Sequence, residues 1–128
     1  MNEPQATEGE LAILRVLWDR GQPCTVREVH EALSRNKETA YTTVLKMMTI
    51  MTEKGLLARD ESERSHRYRP THDEPQVQSA MLKDFMRRTF AGSAAQLVQR
   101  ALDADAASAA DLDAIEDMIR QAKARRGR

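Results

Sequence analysis

KETAYTTVLKMMTIMTEKG, residues 37–55, has the pattern of one helix with two unlike faces. The apolar side recurs at spacings of three, four and three residues and consists of Tyr41, Val44, Met48 and Met51. The polar side recurs at spacings of four, three and four residues and consists of Thr42, Lys46, Thr49 and Glu53. Thr39 is the predicted N-cap of this helix, and Gly55 stands where helices commonly end.

The polar side of this helix is rich in short hydroxyl side chains and has one lysine. Short side chains let a helix approach another surface closely, and hydroxyl groups both donate and accept hydrogen bonds. The base edges in the major groove of DNA offer donors, acceptors and thymine methyl groups. The pattern therefore favours a recognition helix, while an ordinary surface helix is the alternative that periodicity alone leaves open.

Length and charge restrict the class of protein. The chain has 128 residues, which is enough for one domain with an appended module. Its net charge is zero, which does not favour nucleic-acid binding, because a basic domain is the usual electrostatic signature of such proteins. The charge is unevenly distributed, however, since residues 35–72 contain eight Lys or Arg against five Asp or Glu, a local excess of three.

The sequence also bears on the compartment. Cys24 is the only cysteine, so no disulfide can form within the chain. There is no apolar run as long as a membrane span, and residues 1–10 are polar and acidic, unlike a signal peptide. We therefore expect a soluble cytoplasmic protein.

The segments around the central helix predict a winged helix-turn-helix over residues 1–72. After an arm expected to be loose at residues 1–6, capping-box patterns that begin at Thr7 and Thr25 open two short helices. Beyond the central helix, LLARD (56–60) and HRYRP (66–70) are separated by a charged segment without apolar residues. This order predicts a β-hairpin, with an irregular loop as the alternative. The predicted fold class is α+β, mainly α.

Residues 73–128 predict a second, helical region. One helix, capped by Asp73 or Thr71 and with Pro75 in its first turn, is expected to run to about Phe90. A short helix, an alanine- and aspartate-rich link and a last helix with a frayed basic tail at 124–128 are expected to follow. These amphipathic helices could bury little surface alone, so we expect them to pair with a second copy as a twofold dimer. Packing onto the first domain is the alternative. The expected dimer contacts are Val77, Met81, Leu82, Phe85, Phe90, Leu97, Leu112, Ile115 and Ile119.

Six segments carry a family resemblance: ELAILRVLWDRG (10–21), TVREVHEAL (25–33), AYTTVLKMM (40–48), EKGLLARD (53–60), SHRYRP (65–70) and FAGSAAQLV (90–98). In these segments the chain resembles the penicillinase repressor family, the BlaI and MecI group of winged-helix repressors. The resemblance covers nearly the whole chain. It implies a homodimeric repressor that binds a dyad-symmetric operator and is joined by a C-terminal helical arm. It also implies release when a membrane sensor protease acts and the arm is cut.

Two positions depart from the family pattern. The copper-responsive branch has a cysteine pair near its C-terminus, whereas Cys24 here is alone and near the N-terminus. The bond that is cut in the antibiotic-responsive members joins Asn to Phe, and this chain has Arg100 and Ala101 at the corresponding place. Arg100–Ala101 is therefore the candidate cleavage site, without the residues that are cut elsewhere in the family.

The candidate DNA contacts fall into three groups. Thr42, Thr43 and Lys46 are the candidate base-reading residues, because lysine can bond guanine and threonine can contact a base edge or a thymine methyl. Contact with phosphates only is the alternative for them. At the start of the helix, Thr39 and Ala40 place backbone amides where a phosphate can bind. The wing arginines Arg64, Arg67 and Arg69 complete the set and are expected to lie along the adjacent DNA backbone or minor groove, with Arg69 equally well explained as a solvated charge. Glu61 and Glu63 share this loop and are expected to oppose the contact.

Other classes of function have little support in the sequence. His30, His66, His72 and Cys24 lack the spacing of metal ligands, and no phosphate-binding loop or nucleophile motif is present, so we expect neither an enzyme nor a cofactor. A winged-helix protein-interaction module that does not bind DNA is the main alternative, and the neutral net charge is its best support.

Overall fold

The computed structural model describes residues 3–127 and has a mainly helical α+β fold. The elements in chain order are α1 (Glu8–Arg20), α2 (Val26–Ser34), α3 (Tyr41–Glu53), β1 (Leu57–Asp60), β2 (Arg67–Pro70), α4 (Glu74–Phe90), α5 (Ala94–Asp103) and α6 (Ala109–Arg126). The chain forms two compact units, one through Asp84 and the other from Phe85 onward. Three helices followed by a two-stranded hairpin make the first unit a winged helix-turn-helix, as the sequence predicted. None of the described helices is long and apolar enough to cross a membrane.

Helix capping follows the sequence at three helices and differs at α3. The predicted capping boxes at Thr7 and Thr25 are both formed, and Ser108 forms a third with Asp111 at the start of α6. The prediction that Thr39 caps α3 is wrong. Ala40 is the N-cap residue and makes no side-chain capping bond, because the Thr39 hydroxyl instead donates to the carbonyl of Lys37 at 3.0 Å.

The hairpin pairs β1 with β2 in antiparallel register, with Arg59 opposite Tyr68. Tyr68 faces the core, while Arg67 and Arg69 are exposed on the other face, as strand alternation requires. Tyr68 also exchanges two backbone hydrogen bonds with Cys24, of 3.0 and 2.8 Å. The turn before α2 therefore adds an isolated bridge to the wing, a pairing that the sequence did not indicate.

The core of the first unit lies between α1, α2, α3 and the hairpin. Its buried side chains are Ile13, Leu14, Leu17, Cys24, Val26, Val29, Val44, Met48, Met51, Leu56, Leu57 and Tyr68. Three of the four residues on the predicted apolar side of α3 belong to it. The fourth, Tyr41, is 45% exposed, because it lies in the first turn of α3 and its ring packs edge-on against His30 at the surface.

The first unit extends past the wing into α4. Val77 and Ala80 are buried, and the indole of Trp18 donates a hydrogen bond to the carbonyl of His72 at 3.1 Å. The described part of the N-terminal arm, residues 3–6, is not loose as predicted. Gln5 Nε2 donates to the carbonyl of Ala80 at 3.2 Å, and Glu3 pairs with Lys83 at 3.0 Å. Met1 and Asn2 lie outside the described residues.

The second unit consists of the end of α4 with α5 and α6. Neither α5 nor α6 contains a buried residue among those described, so this unit has no core of its own in a single chain. The prediction of a frayed tail from Ala124 is wrong as far as Arg126, because α6 continues to that residue with a basic last turn that suits the helix dipole. Arg128 lies outside the described residues.

Glu10 connects the start of α1 to the end of α3. Its carboxylate is buried and accepts hydrogen bonds from Lys54 Nζ at 2.7 Å and from the backbone amide of Thr7 at 2.9 Å. Burial raises the pKa of Glu10, but the hydrogen bonds from Lys54 and Thr7 and the charge of Lys54 together lower the pKa below the ordinary glutamate value. The ionised form is therefore the one that the folded protein stabilises.

We expect Glu10→Gln to lower the free energy of unfolding near neutral pH by about 1–2 kcal/mol, because it removes the charge and keeps the capping geometry. Since the folded-state pKa is the lower one, this stabilisation is complete above the unfolded-state pKa and is lost as pH falls through the folded-state pKa. The difference between wild type and variant should therefore shrink in acid. Urea unfolding followed by Trp18 fluorescence at neutral and acidic pH measures it. Glu8→Gln, at an exposed position in the same helical turn, is the control and should change the free energy of unfolding much less than Glu10→Gln.

Candidate nucleic-acid interface

The outer surface of α3 has the composition expected of a groove-binding helix. Thr42, Thr43, Leu45 and Lys46 are exposed, and no aspartate or glutamate occurs between residues 41 and 52. The first acidic residue of the helix is Glu53, in its last turn. A polyanion can therefore approach most of the length of α3 without meeting a carboxylate on that helix.

The hydroxyl groups of α3 divide into two kinds. Thr49 and Thr52 are half-buried, and their hydroxyls donate to the carbonyls of Leu45 and Met48, one turn back, at 2.8 Å each. Thr49 belonged to the predicted polar side, but its hydroxyl is used within the helix. Thr42 and Thr43 are the exposed threonines of this helix and lie within its first turn. The base-reading candidates among the threonines are thus confined to the N-terminal end of α3.

The N-terminus of α3 is held by α2. His30 Nε2 donates to the carbonyl of Thr39 at 2.7 Å, and the His30 ring contacts the Tyr41 ring edge-on with centroids 5.6 Å apart. Ala40 accepts from the amides of Thr43 and Val44, so the helix starts directly after Thr39 and Ala40. The amides of Tyr41 and Thr42 precede the first of these bonds, and this end of α3 can receive a phosphate.

Some of the wing arginines form ion pairs with glutamates, and others are exposed. Arg67 pairs with Glu28 at 3.4 Å and with Glu63 at 3.7 Å, while Arg59 pairs with Glu61 at 2.9 Å. Arg64 and Arg69 are exposed. The composition of this segment suggested that Glu61 and Glu63 oppose DNA contact, and the structure shows both engaging arginines. Arg67 must exchange carboxylate partners for phosphate if it contacts DNA.

Glu28 contributes to both the helix-turn-helix and the wing. Its carboxylate accepts from the backbone amide of Thr25 at 2.8 Å and also faces Arg67. The Thr25 amide, and to a smaller extent the hydroxyl of that residue and the charge of Arg67, lower the pKa of Glu28. Glu28 therefore stays ionised and holds the base of the wing beside α2.

Cys24 is a buried free thiol. Burial, with a smaller contribution from the charge of Glu28, raises the pKa of this thiol, so the unreactive protonated form is favoured. Within residues 3–127, no three His, Cys, Asp or Glu side chains form a group that could hold a metal ion.

The predicted contacts on the first unit are brought together on one helix and one hairpin. Thr39, Ala40, Thr42, Thr43 and Lys46 lie at or near the N-terminal half of α3, and Arg64 and Arg67 belong to the wing of the same unit. The residues that the sequence interpretation missed on this surface are Tyr41 and Leu45. Leu45 lies outside both the apolar row and the polar row, and a helical-wheel placement between them would have indicated its exposure.

The predicted dimer contacts are more dispersed. Val77 is only 1% exposed within a single chain and therefore offers almost no surface to a second copy. Leu82, Phe85, Leu112 and Ile119 are exposed, and Met81, Phe90, Leu97 and Ile115 are half-buried. The apolar exposed residues that the sequence interpretation missed are Val98, Leu102 and Met118.

The predicted cleavage site lies inside a helix. Arg100 and Ala101 are in the last turn of α5, and Arg100 pairs with Asp103 at 2.8 Å. A peptide bond in a formed helix does not fit the extended substrate cleft of a protease, so this bond is accessible only after local unfolding of α5.

Comparison with known proteins identifies the family and the fold. A model of the penicillinase repressor family matches residues 6–121. A transcriptional regulator BlaI of Mycobacterium tuberculosis is 39% identical over 75 residues, which cover 59% of this chain and 54% of the regulator. The matched segment thus spans about half the length of that relative. The penicillinase repressor of Bacillus licheniformis is 24% identical over 123 residues, 96% of this chain and 95% of that protein.

Solved structures support the winged-helix fold. The monomeric form of Bacillus licheniformis BlaI in complex with the blaP half-operator matches with a TM-score of 0.50 and 27% identity, over 59% of this chain and 90% of that one. The DNA-binding domain of the repressor BlaI matches with a TM-score of 0.52 over the same shares, also at 27% identity. A complex of hsRosR-S4 shares the fold alone, at 17% identity and a TM-score of 0.53 over 93% of this chain and 90% of that chain.

Proposed function

Since the chain belongs to the penicillinase repressor family, we propose that it is a cytoplasmic transcriptional repressor that binds a dyad-symmetric operator as a homodimer and excludes RNA polymerase by occupancy. The observation that carries this proposal is the outer surface of α3, which combines exposed hydroxyls and Lys46 with the absence of any carboxylate from residue 41 to residue 52. Such a surface complements the major groove, whose edges present acceptors, donors and methyl groups.

Dimerisation through the second unit is the next part of the proposal. No residue of α5 or α6 is buried among those described, and exposed apolar side chains recur on all three helices of this unit. Burying these side chains against a second copy would remove apolar surface from water in both chains at once. The division at residues 72 and 73 remains our proposal for the functional boundary, although the first compact unit extends through Asp84.

Release by proteolysis in the arm, by a membrane sensor protease, completes the proposal. The bond Arg100–Ala101 lies in α5, so this helix must open locally before the bond can be cut. Mass spectrometry of the protein from induced cells tests it directly. Fragments ending at Arg100 are expected, and an intact chain under induction would exclude this route.

A selection of bound fragments from the whole genome is the experiment that tests DNA binding, because it reports both the site and the target gene. The dimer should enrich fragments with a twofold-related pair of half-sites. The logarithm of its affinity should then fall steeply with the logarithm of salt concentration, as counterions are released from several neutralised phosphates. A protein-interaction module would enrich no fragment, and the neutral net charge is the one observation that favours this second candidate.

Within this function, we expect Lys46→Ala and Thr43→Val each to cost about 1–3 kcal/mol on the preferred operator and to relax the preference at one base pair in each half-site. Base-edge contacts differ between correct and wrong sequences, whereas phosphates are the same everywhere. Fluorescence anisotropy with specific and scrambled duplexes measures the two affinities.

Arg67→Ala is the comparison variant for this test. It should weaken binding to both duplexes by a similar factor and lower the salt slope by about one, because it removes a phosphate contact only. If Lys46→Ala lowered the affinity for specific and scrambled duplexes by the same factor, Lys46 would, like Arg67, contact only the DNA backbone and no base.

A further inference from the structure

The surface of α3 that carries the candidate base-reading residues Thr42, Thr43 and Lys46 also carries an exposed apolar side chain outside the core. Leu45 is 40% exposed, lies one residue before Lys46, and is not part of the buried cluster of the first unit. Single exposed leucines are common on protein surfaces, so exposure alone indicates nothing. What distinguishes Leu45 is its place among the candidate base-reading residues.

Leu45 lies in the half of α3 that would enter the groove first. Recognition helices contact base edges mainly with residues of their N-terminal part, and Leu45 is in the second turn. It follows Thr42 by three residues and Tyr41 by four, so these exposed side chains are its neighbours along the helix surface. The Leu45 carbonyl accepts a hydrogen bond from the Thr49 hydroxyl at 2.8 Å. The neighbour of Leu45 one turn towards the C-terminus is therefore a short side chain that keeps only its methyl group unbonded.

The chemistry of leucine restricts what it can contact in DNA. A leucine side chain has no hydrogen-bond donor or acceptor, so it can bond neither a phosphate nor the polar atoms of a base edge. The apolar group that a base pair presents in the major groove is the C5 methyl of thymine. We propose that Leu45 is a specificity-determining residue that packs on one thymine methyl in each half-site. This inference rests on the proposed operator-binding function.

Replacing thymine by uracil tests the contact, because uracil lacks only the C5 methyl. Each thymine of the selected operator is replaced singly, and symmetrically in both half-sites, and the wild-type dimer is titrated against every duplex. At one position we expect affinity to fall about fourfold for each half-site, the fold-change that corresponds to one buried methyl group. This scan needs no protein variant, so it does not depend on a variant that folds.

The Leu45→Ala variant then assigns that methyl to its residue. It should bind the thymine operator about fourfold more weakly for each half-site and lose no further affinity on the uracil duplex. Ile50→Ala is the control, since Ile50 is equally exposed but five residues further along α3, across the polar row. It should keep the full response to uracil. Far-UV circular dichroism confirms that both variants are folded.

Three results would overturn the assignment: a wild-type protein insensitive to every uracil replacement, a Leu45→Ala protein that keeps the full sensitivity, or an Ile50→Ala protein that loses it. Each of these presupposes measurable operator binding. Failure of the proposed function is a different result, in which the genomic selection enriches no fragment and there is no operator to substitute.

Discussion

Phe85→Asp is expected to convert the protein from a dimer to a monomer at micromolar concentration. The Phe85 ring is 44% exposed in a single chain and contacts Phe90 edge-on, with ring centroids 5.8 Å apart. Together the two rings form an aromatic pair that is partly exposed to solvent. An aspartate there would bring an unpaired charge into the proposed interface, which is strongly unfavourable. Chromatography coupled to light scattering measures the mass in solution.

The same substitution should lower affinity for the complete operator by roughly 10²-fold or more, because two linked half-site contacts become independent ones. Binding to an isolated half-site should stay nearly unchanged, since Phe85 lies outside the first unit. Ser79→Asp is the matched control. It adds the same charge at an exposed position on another side of α4 and should leave the dimer intact. A Phe85→Asp protein that stays dimeric, or a wild type that is monomeric, would rule out this role for the arm.

Met48→Ala is expected to lower the free energy of unfolding of the first unit by about 2–5 kcal/mol. Met48 is fully buried on α3, and truncating it removes apolar contacts and leaves a cavity in the cluster that positions the recognition helix. Denaturant unfolding followed by fluorescence measures this unit selectively. Trp18 is the only tryptophan, and it lies on α1 in the first unit, so its signal does not report on α5 or α6.

Leu45→Ala is the control for this stability measurement, because it truncates an exposed side chain on the same helix. It should change the unfolding free energy by no more than about 0.5 kcal/mol. If Met48→Ala were equally mild, the α3 face that contains Val44 and Met51 would not carry the core of the first unit. Operator affinity of the Met48 variant should fall with the folded fraction and recover where the protein is fully folded.

Most of the fold could be predicted because local patterns and tertiary packing agree. The capping boxes at Thr7 and Thr25 specify where α1 and α2 begin. In each box the threonine hydroxyl accepts from a backbone amide only three residues later in the sequence. The alternation around Tyr68 likewise predicted which side of β2 is buried. In these cases the hydrogen bond or the burial depends on residues a few positions apart.

The predictions that failed depend on groups distant in sequence or on competing local bonds. Thr39 has the side chain of an N-cap, but its hydroxyl bonds the carbonyl of Lys37 instead and α3 begins one residue later. Tyr41 fits the apolar period, yet it is 45% exposed in the first turn of α3, where its ring packs edge-on against His30.

The chain by itself therefore determined the helices, the hairpin, the family and the helix that reads DNA in our proposal. Periodicity and capping are short-range, and a resemblance is read from the residues themselves. Only the tertiary structure decided which of those side chains are exposed and which are engaged in contacts with other parts of the chain. Arg67 pairs with Glu28, 39 residues away in the sequence, and the backbone of Cys24 pairs with that of Tyr68. Leu45 is exposed beside Lys46, because exposure depends on which elements pack against a helix face, and that packing is set by contacts between residues far apart in the sequence.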